Sequence, residues 1–321
     1  MSTNLKVIDL GSNSVRLRIT KILDDGQTEL LRYEKEYVRL SENMGPERTL
    51  KEEPMARTLK ALKDFKEIYD QFDGEIIAVA TAAVRQATNQ RDFLERVEQE
   101  VGLTIQVISG KREAYLDYLG VSRTLPLENG IIIDTGGASM ELILVDQGQA
   151  EETVSLPIGS VLLSQRYHLG DQVSAANLYD AVIKVDEVLS SQRWLSRARH
   201  TRVVALGGSN RALAKMYRWR LSDGEDVPLP VHGLTMQTVD AYEMMDDLLR
   251  MDREQRGKVR GVSTARAAVI IGGLLPIMAL LRQLNMKQVM FSSNGLREGL
   301  LFEYIDQKFG GFSYRPGLIK D

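Results

Sequence analysis

The sequence predicts an α/β fold of two related lobes, and a repeated device carries that expectation. Near the start, the apolar strand Val7-Ile8 ends in Asp9, passes through Leu10-Gly11-Ser12-Asn13-Ser14 and returns as a strand from Val15. Much later, Ile131-Ile132-Ile133 leads to Asp134, a turn through Gly136-Gly137-Ala138-Ser139, and a strand that runs on from Glu141. Strand, aspartate, glycine turn, strand is the same arrangement twice, once early in each half of the chain. A third glycine turn, Gly207-Gly208-Ser209, follows the apolar run Ala205-Leu206.

Taken in order, the first turn is followed by strands over Val15–Leu23 and Leu30–Val38, a meander folded at Asp24-Asp25-Gly26. Met55, Leu59, Leu62, Phe65 and Ile68-Tyr69 recur at helical spacing within a helix over Pro54–Phe72. The buried strand Ile76–Ala80 comes next, then Arg85 after a stretch of small residues, a helix over Asp92–Val101 and a strand over Thr104–Ile108. Ser109 is placed to cap a helix that carries Glu113 in its first turn, where the helix dipole favours a carboxylate. In the second half, Thr153–Leu156 is a strand, Val161–Tyr167, Ala175–Trp194 and Arg211–Arg220 are helices, and Gln288–Ser292 is the last strand. The apolar stretch near Ala267–Leu281 contains Gly272, Gly273 and Pro276, is too short to span a bilayer, and reads as a buried helix. The expected division is residues 1–123 and 124–297, with a terminal helix at about 298–310 packing back on the first lobe.

With 321 residues, 43% of them hydrophobic and 26% charged, the composition is that of an ordinary globular protein. There is no cysteine, which excludes disulfides, thiol catalysis and cysteine metal sites. The first strand begins almost at the N-terminus, so no targeting segment and a cytoplasmic address are expected. A formal net charge of −3 gives no global attraction for polyanions, so an anion site has to be built locally. His168, His200 and His232 are widely separated and do not form a metal-site pattern. Arg211, Lys215, Arg218, Arg220, Arg253, Arg256, Lys258, Arg260 and Arg266 gather in the second half. Such a run is ordinarily solvated surface. It is also where a track for a long polyanion is expected, although aromatic residues among them are too few for nucleic acid.

The turns suggest their own chemistry. Adjacent glycines let main-chain N–H groups approach an anion without interference from Cβ atoms. Asp134, with Glu141 on the returning strand, can hold a divalent cation beside that anion. Arg85 can grip phosphate with two parallel hydrogen bonds, and Glu113 can act as a base. Read singly, spacing favours a surface role for Arg85 and a capping or helix-dipole role for Glu113.

Together these landmarks resemble the exopolyphosphatase/guanosine pentaphosphate phosphatase (Ppx/GppA) family of the actin-like superfamily, over Val7 to about Ile305. The likeness rests on Ile8-Asp9-Leu10-Gly11-Ser12-Asn13-Ser14, on Ala80-Thr81 through Arg85-Gln86-Ala87, and on Ser109-Gly110-Lys111-Arg112-Glu113-Ala114. Leu156-Pro157-Ile158-Gly159-Ser160 and Gly295-Leu296-Arg297-Glu298-Gly299 complete it. Relative to the family pattern, Ala138 stands for glycine, Met140 for threonine, Arg112 for glutamate and Ala268 for aspartate. The chain also stops before the HD-like region of longer relatives, which implies a preference for shorter substrates.

The resemblance implies two actin-like (ribonuclease H-like) lobes with a cleft between them, and hydrolysis of the terminal phosphoanhydride of inorganic polyphosphate. It implies Mg²⁺, or Mn²⁺ in its place, held by Asp134, Glu141 and Asp9. Gly11, Ser12, Asn13 and Ser14, Gly136, Gly137, Ala138 and Ser139, and Gly208 and Ser209 are implied to cradle phosphate. Glu113 is implied to direct the attacking water, with Glu141 as the alternative, and Arg85 to stabilise the transferred phosphoryl group. Asn13 and Arg297 are secondary candidates. A homodimer acting on polyphosphate or guanosine penta- or tetraphosphate is expected, with neither nucleic acid nor membrane as partner. Three other readings stand beside this one: a pentaphosphate nucleotide phosphatase, a non-catalytic sensor of the same ligands, and an actin-like kinase or ATPase.

Overall fold

The first hairpin forms as its alternation dictates. Strand β1 (Thr3–Leu10) pairs antiparallel with β2 (Val15–Ile22) in a register that sets Asp9 against Arg16 and Leu10 against Val15. The computed structural model, which describes residues 2–222 and 230–309, continues with β3 (Thr28–Glu36), antiparallel to β2 and the more exposed edge of its sheet. Helix α1 (Glu52–Tyr69) buries Met55, Leu59, Leu62, Phe65 and Tyr69 on one face. Leu62 and Phe65 alone each contribute about 1.5–3 kcal/mol by leaving water.

Strand β4 (Glu75–Ala80), helices α2 (Ala82–Gln86) and α3 (Gln90–Val101), the short β5 (Gln106–Val107) and helix α4 (Gly110–Ser122) follow. Gly102 ends α3 in the left-handed conformation at φ 71°. Ser109 caps α4, its hydroxyl accepting from the Arg112 N–H at 3.1 Å.

The second half repeats the scheme. Strands β6 (Gly130–Thr135), β7 (Met140–Asp146) and β8 (Gln149–Leu156) form an antiparallel meander. Helices α5 (Ser160–Arg166) and α6 (Ala175–Ser190), a 3-10 turn at Arg193–Ala198, β9 (Arg202–Gly207) and α7 (Gly208–Leu221) come next. Then follow β10 (Thr235–Gln237), α8 (Thr238–Leu249), α9 (Arg253–Lys258), α10 (Thr264–Ala267), α11 (Ile270–Gln283), β11 (Gln288–Phe291) and α12 (Leu296–Phe309).

The chain divides into two compact units. One takes the described residues through Thr124 and those from Leu296 onward; the other is Leu125–Gly295. Within the first, α12 packs against α4 and β1. The expected last residue of that helix, Gly310, lies outside the described residues. The first unit's sheet has the order β3-β2-β1-β4-β5, and the second β10-β11-β9-β6-β7-β8. In both, the central strand is antiparallel to the meander and parallel to the strand on its other side. The second sheet is therefore the first one again, with β10 added antiparallel at the edge. Sequence reading found this duplication in the two aspartate–glycine turns and the strands that frame them.

Helix α11 is the core of the second unit, buried from Ile270 through Leu281. Its glycines are packing devices. A Cβ on Gly272 would lie 2.5 Å from the Ser164 Oγ of α5, and one on Gly273 would lie 2.1 Å from the Ser209 Oγ of α7. Among the described residues no helix is long and apolar enough to cross a membrane.

Two expectations are corrected. Helix α6 ends at Ser190, and Trp194 belongs to the separate 3-10 turn. The basic run of the second half does not form one track. Arg256 is fully buried and donates to the carbonyls of Leu169, Asp171, Leu248, Met251 and Ala267. Arg220 pairs with Glu243, Lys258 with Glu254, and Arg266 is buried. Sequence reading assigned nothing to α8, whose buried face is Ala241, Met244, Met245 and Leu248.

Candidate active site

The two aspartate–glycine turns are built alike. In the first unit the Gly11 N–H donates to the Ser14 carbonyl at 3.1 Å; in the second the Gly136 N–H donates to the Ser139 carbonyl at 3.0 Å. A Cβ on Gly11 would meet Ser14 O at 3.2 Å, and one on Gly136 would meet Ser139 O at 3.1 Å, so both turns are tight where glycine stands. Asp9 and Asp134 occupy equivalent places, each next to last in its strand.

What faces each aspartate differs. Asp9 accepts from Arg16 at 3.2 Å and from Arg297, at the start of α12, at 2.9 Å. Burial works to lower the pKa of Arg297, but the carboxylates of Glu298 and Asp9 outweigh it and raise it. Asp134 instead stands across the strand pair from Glu141, so the two acidic side chains lie on one face of the sheet. Glu141 is buried and accepts at Oε1 from Ser139 Oγ at 2.8 Å and Ser155 Oγ at 2.7 Å.

The remaining candidates of the first unit form a pair. Arg85, in the last turn of α2, donates through Nη1 to Glu113 Oε2 at 2.8 Å and to the Ile108 carbonyl at 3.0 Å. The expected base and the expected phosphoryl-stabilising arginine are thus in direct contact. Around the first turn, the Arg39 N–H donates to Asn13 O, and Ser41 donates through both N–H and hydroxyl to Ser12 O. That supporting loop has no signature that sequence reading used. Asn13 Nδ2 is buried without a hydrogen-bond partner, which suits it to an incoming oxyanion.

The third glycine turn is more a close approach than a hydroxyl cradle. A Cβ on Gly207 (φ 94°) would lie 2.6 Å from Asp134 Oδ1, and one on Gly208 would lie 2.0 Å from Arg266 Nη2. The buried Arg266 guanidinium therefore lies over this turn, a placement the basic run concealed. Ser209 is fully buried against Gly273, which leaves this turn its main chain to offer an anion.

Comparison with known proteins decides the family. The family model described as Ppx/GppA phosphatase matches residues 19–308. The chain belongs to the Ppx/GppA phosphatase family. It is 28% identical over 315 residues to a bifunctional 3-dehydroquinate synthase/phosphatase of Fusobacterium nucleatum, covering 94% of this chain and 46% of that protein. It is 30% identical over 303 residues to a guanosine-5'-triphosphate,3'-diphosphate pyrophosphatase of Vibrio cholerae, covering 93% and 58%. The chain thus spans about half the length of these curated relatives. Among solved structures, an exopolyphosphatase from Cytophaga hutchinsonii matches with a TM-score of 0.87 at 27% identity, over 95% of this chain and 98% of that one. A family member from Aquifex aeolicus matches with 0.76 at 30%, over 96% and 99%. The expected fold of two actin-like lobes is the one these structures share.

The Ppx/GppA motifs have physical reasons here. At Leu156-Pro157-Ile158-Gly159-Ser160, the N-terminus of α5 closes on the second turn. Ser160 N–H donates to Gly136 O and Val161 N–H to Gly137 O, both at 2.9 Å. A Cβ on Gly159 would fall 2.5 Å from Gly137 C. In Gly295-Leu296-Arg297-Glu298-Gly299, Arg297 holds Asp9, Glu298 accepts from Arg18 at 2.9 Å, and Gly299 admits Leu116 O of α4. Two of the departures from the Ppx/GppA pattern have places in the fold. Met140 is wholly buried in the core of its unit, so its side chain takes no hydroxyl away from the turn. Arg112 is paired with Glu303 of α12, a contact within the fold.

Proposed function

We propose that this chain hydrolyses the terminal phosphoanhydride of inorganic polyphosphate and releases orthophosphate. The observation that carries the reading is the asymmetry of the duplicated turn. One copy has its aspartate neutralised by arginines; the other sets Asp134 opposite Glu141. Like charges directly opposite one another on a sheet are unfavourable, and hard oxygen donors suit Mg²⁺ when water and phosphate supply the rest of its shell. Among the described residues no three of His, Asp and Glu gather into a metal site, so the proposal leaves the rest of the shell to water and phosphate. Bound there, Mg²⁺ would neutralise charge on the phosphates. Asp9 carries two guanidinium partners already, so Asp134 and Glu141 are the cation holders in this proposal.

Glu113, aligned by Arg85, accepts a proton from the attacking water. The water oxygen bonds to the terminal phosphorus, the bridging P–O bond breaks, and the shortened chain leaves with the electron pair. In the second unit the N–H groups of Gly137 and Ala138 are the donors to phosphate oxygens; in the first unit Asn13 Nδ2 is the free donor of its turn. Phosphoryl transfer asks chiefly for such positioning and electrostatics. Ser139 does not serve as a hydroxyl donor to phosphate here, because its proton goes to Glu141.

The similarity to the Vibrio cholerae pyrophosphatase favours a second substrate, guanosine pentaphosphate, acted on by the same groups. The test is phosphate release from short polyphosphate, long polyphosphate and guanosine pentaphosphate, with Mg²⁺ or EDTA. Metal-dependent release from polyphosphate, lost in Glu113→Gln, supports the reading. Release from the nucleotide alone transfers the assignment to the second substrate, and release from none of them rejects both.

A further inference from the structure

We infer that Ser155 is a positioning residue for the Glu141 carboxylate, an inference that rests on the proposed role of Asp134 and Glu141 as cation holders. Ser155 lies on β8, directly across the strand pair from Glu141. Ser139 lies two residues before Glu141, on the turn. Both hydroxyls donate to the same oxygen, Oε1, at 2.7 and 2.8 Å. An ionised carboxylate only accepts, so both hydroxyl protons are committed to it. Two charge-assisted bonds from opposite sides, one on a turn and one on a strand, fix the plane of the carboxylate and so the direction of its second oxygen.

The two donors differ in what they depend on. Ser139 belongs to the phosphate turn and moves with it. Ser155 is anchored by the β7–β8 ladder, which is independent of any ligand. Ser155 therefore keeps Glu141 aligned when the turn adjusts to an incoming phosphate. Partners of this outer kind are worth about 10–100-fold in metal affinity or activity. Nothing in the run Thr153-Val154-Ser155 distinguishes Ser155 from any serine on a strand; only the register does.

The experiment measures Mn²⁺ binding by electron paramagnetic resonance, with inorganic phosphate present, alongside kcat and KM for polyphosphate. Ser155→Ala is expected to weaken Mn²⁺ binding about 10-fold or more and to lower kcat by a similar factor, with KM and Tm little changed. Ser155→Thr, which keeps the hydroxyl, is expected to restore both. Wild-type Mn²⁺ affinity in Ser155→Ala overturns the inference, as does failure of threonine to restore what alanine loses, or a wild-type protein that binds no Mn²⁺. Should alanine prevent folding, Ser155→Cys keeps the volume with a weak donor and is judged by the same criteria. A wild-type protein that hydrolyses no polyphosphate rejects the proposed function, while the Mn²⁺ comparison still judges Ser155.

Discussion

Asp134 stands directly opposite Glu141 across the β6–β7 pair, where the equivalent hairpin of the first unit sets Asp9 opposite Arg16. One substitution across a strand pair turns a neutral turn into an acidic one. Asp134→Asn and Glu141→Gln are each expected to lower Mg²⁺-dependent phosphate release by about 100-fold or more, the scale of removing one electrostatic group from such a site. Titrating Mg²⁺ should show the loss as a raised metal requirement. Normal activity at ordinary Mg²⁺ in either variant would exclude the pair as cation holders.

Arg85 is held to Glu113 at 2.8 Å with both side chains mostly buried. Arg85→Lys preserves charge but replaces the guanidinium, whose Nη1 serves both Glu113 and the Ile108 carbonyl, by a single ammonium. It is expected to cost about 100-fold in kcat, with Arg85→Ala lower still. Steady-state kinetics on polyphosphate decide this: a rise in KM alone would make Arg85 a binding residue only.

Arg297 and Asp9 form a buried ion pair that ties α12 to β1. Arg297→Ala leaves Asp9 its ion pair with Arg16 and is expected to cost about 3–5 kcal/mol. Urea unfolding checks it, and a loss below about 1 kcal/mol would show that Arg16 suffices.

Gly299→Ala sets two effects against each other. Alanine favours the helix by about 1 kcal/mol, but its Cβ would lie 2.1 Å from the Leu116 carbonyl oxygen, a main-chain atom that cannot swing away. Overpacking of this kind costs about 1–3 kcal/mol, so net destabilisation is expected. A raised Tm would mean that α12 and α4 separate easily.

Arg256→Met removes a guanidinium that serves five carbonyls from α8, α10 and the neighbouring loops. Burial lowers its pKa, with Asp171 and Asp252 opposing. Each buried acceptor left unmet costs about 1–3 kcal/mol, and so the variant is expected to unfold at markedly lower urea. Unchanged polyphosphate activity per folded molecule would confirm that Arg256 is no part of a substrate track.

Much of this was legible in the sequence, for a physical reason. The aspartate–glycine turns, the Ser109 cap and the periodic face of α1 are local signals, set by residues a few positions apart. What escaped depends on residues far apart in the chain. Ser155 meets Glu141 only through the β7–β8 register, and Arg39 and Ser41 reach the first turn only after the β1–β3 meander closes. Arg256 and Arg266 look in sequence like any surface arginine, and their burial follows from how α7–α11 pack. Met140, the residue after the second glycine turn, is likewise settled by the register: strand alternation turns its side chain into the core.

Helix α12 also dictates an order of assembly on the ribosome. Every residue of the Leu125–Gly295 unit is synthesised before Arg297, so the unit that comes second in sequence is the first whose chain is complete. The N-terminal sheet emerges earlier but waits for Arg297 to meet Asp9 and for Gly299 to reach Leu116. A released chain ending at Gly295 would therefore hold every residue of the second unit together with an N-terminal one lacking α12, with the α4 surface that α12 covers left open.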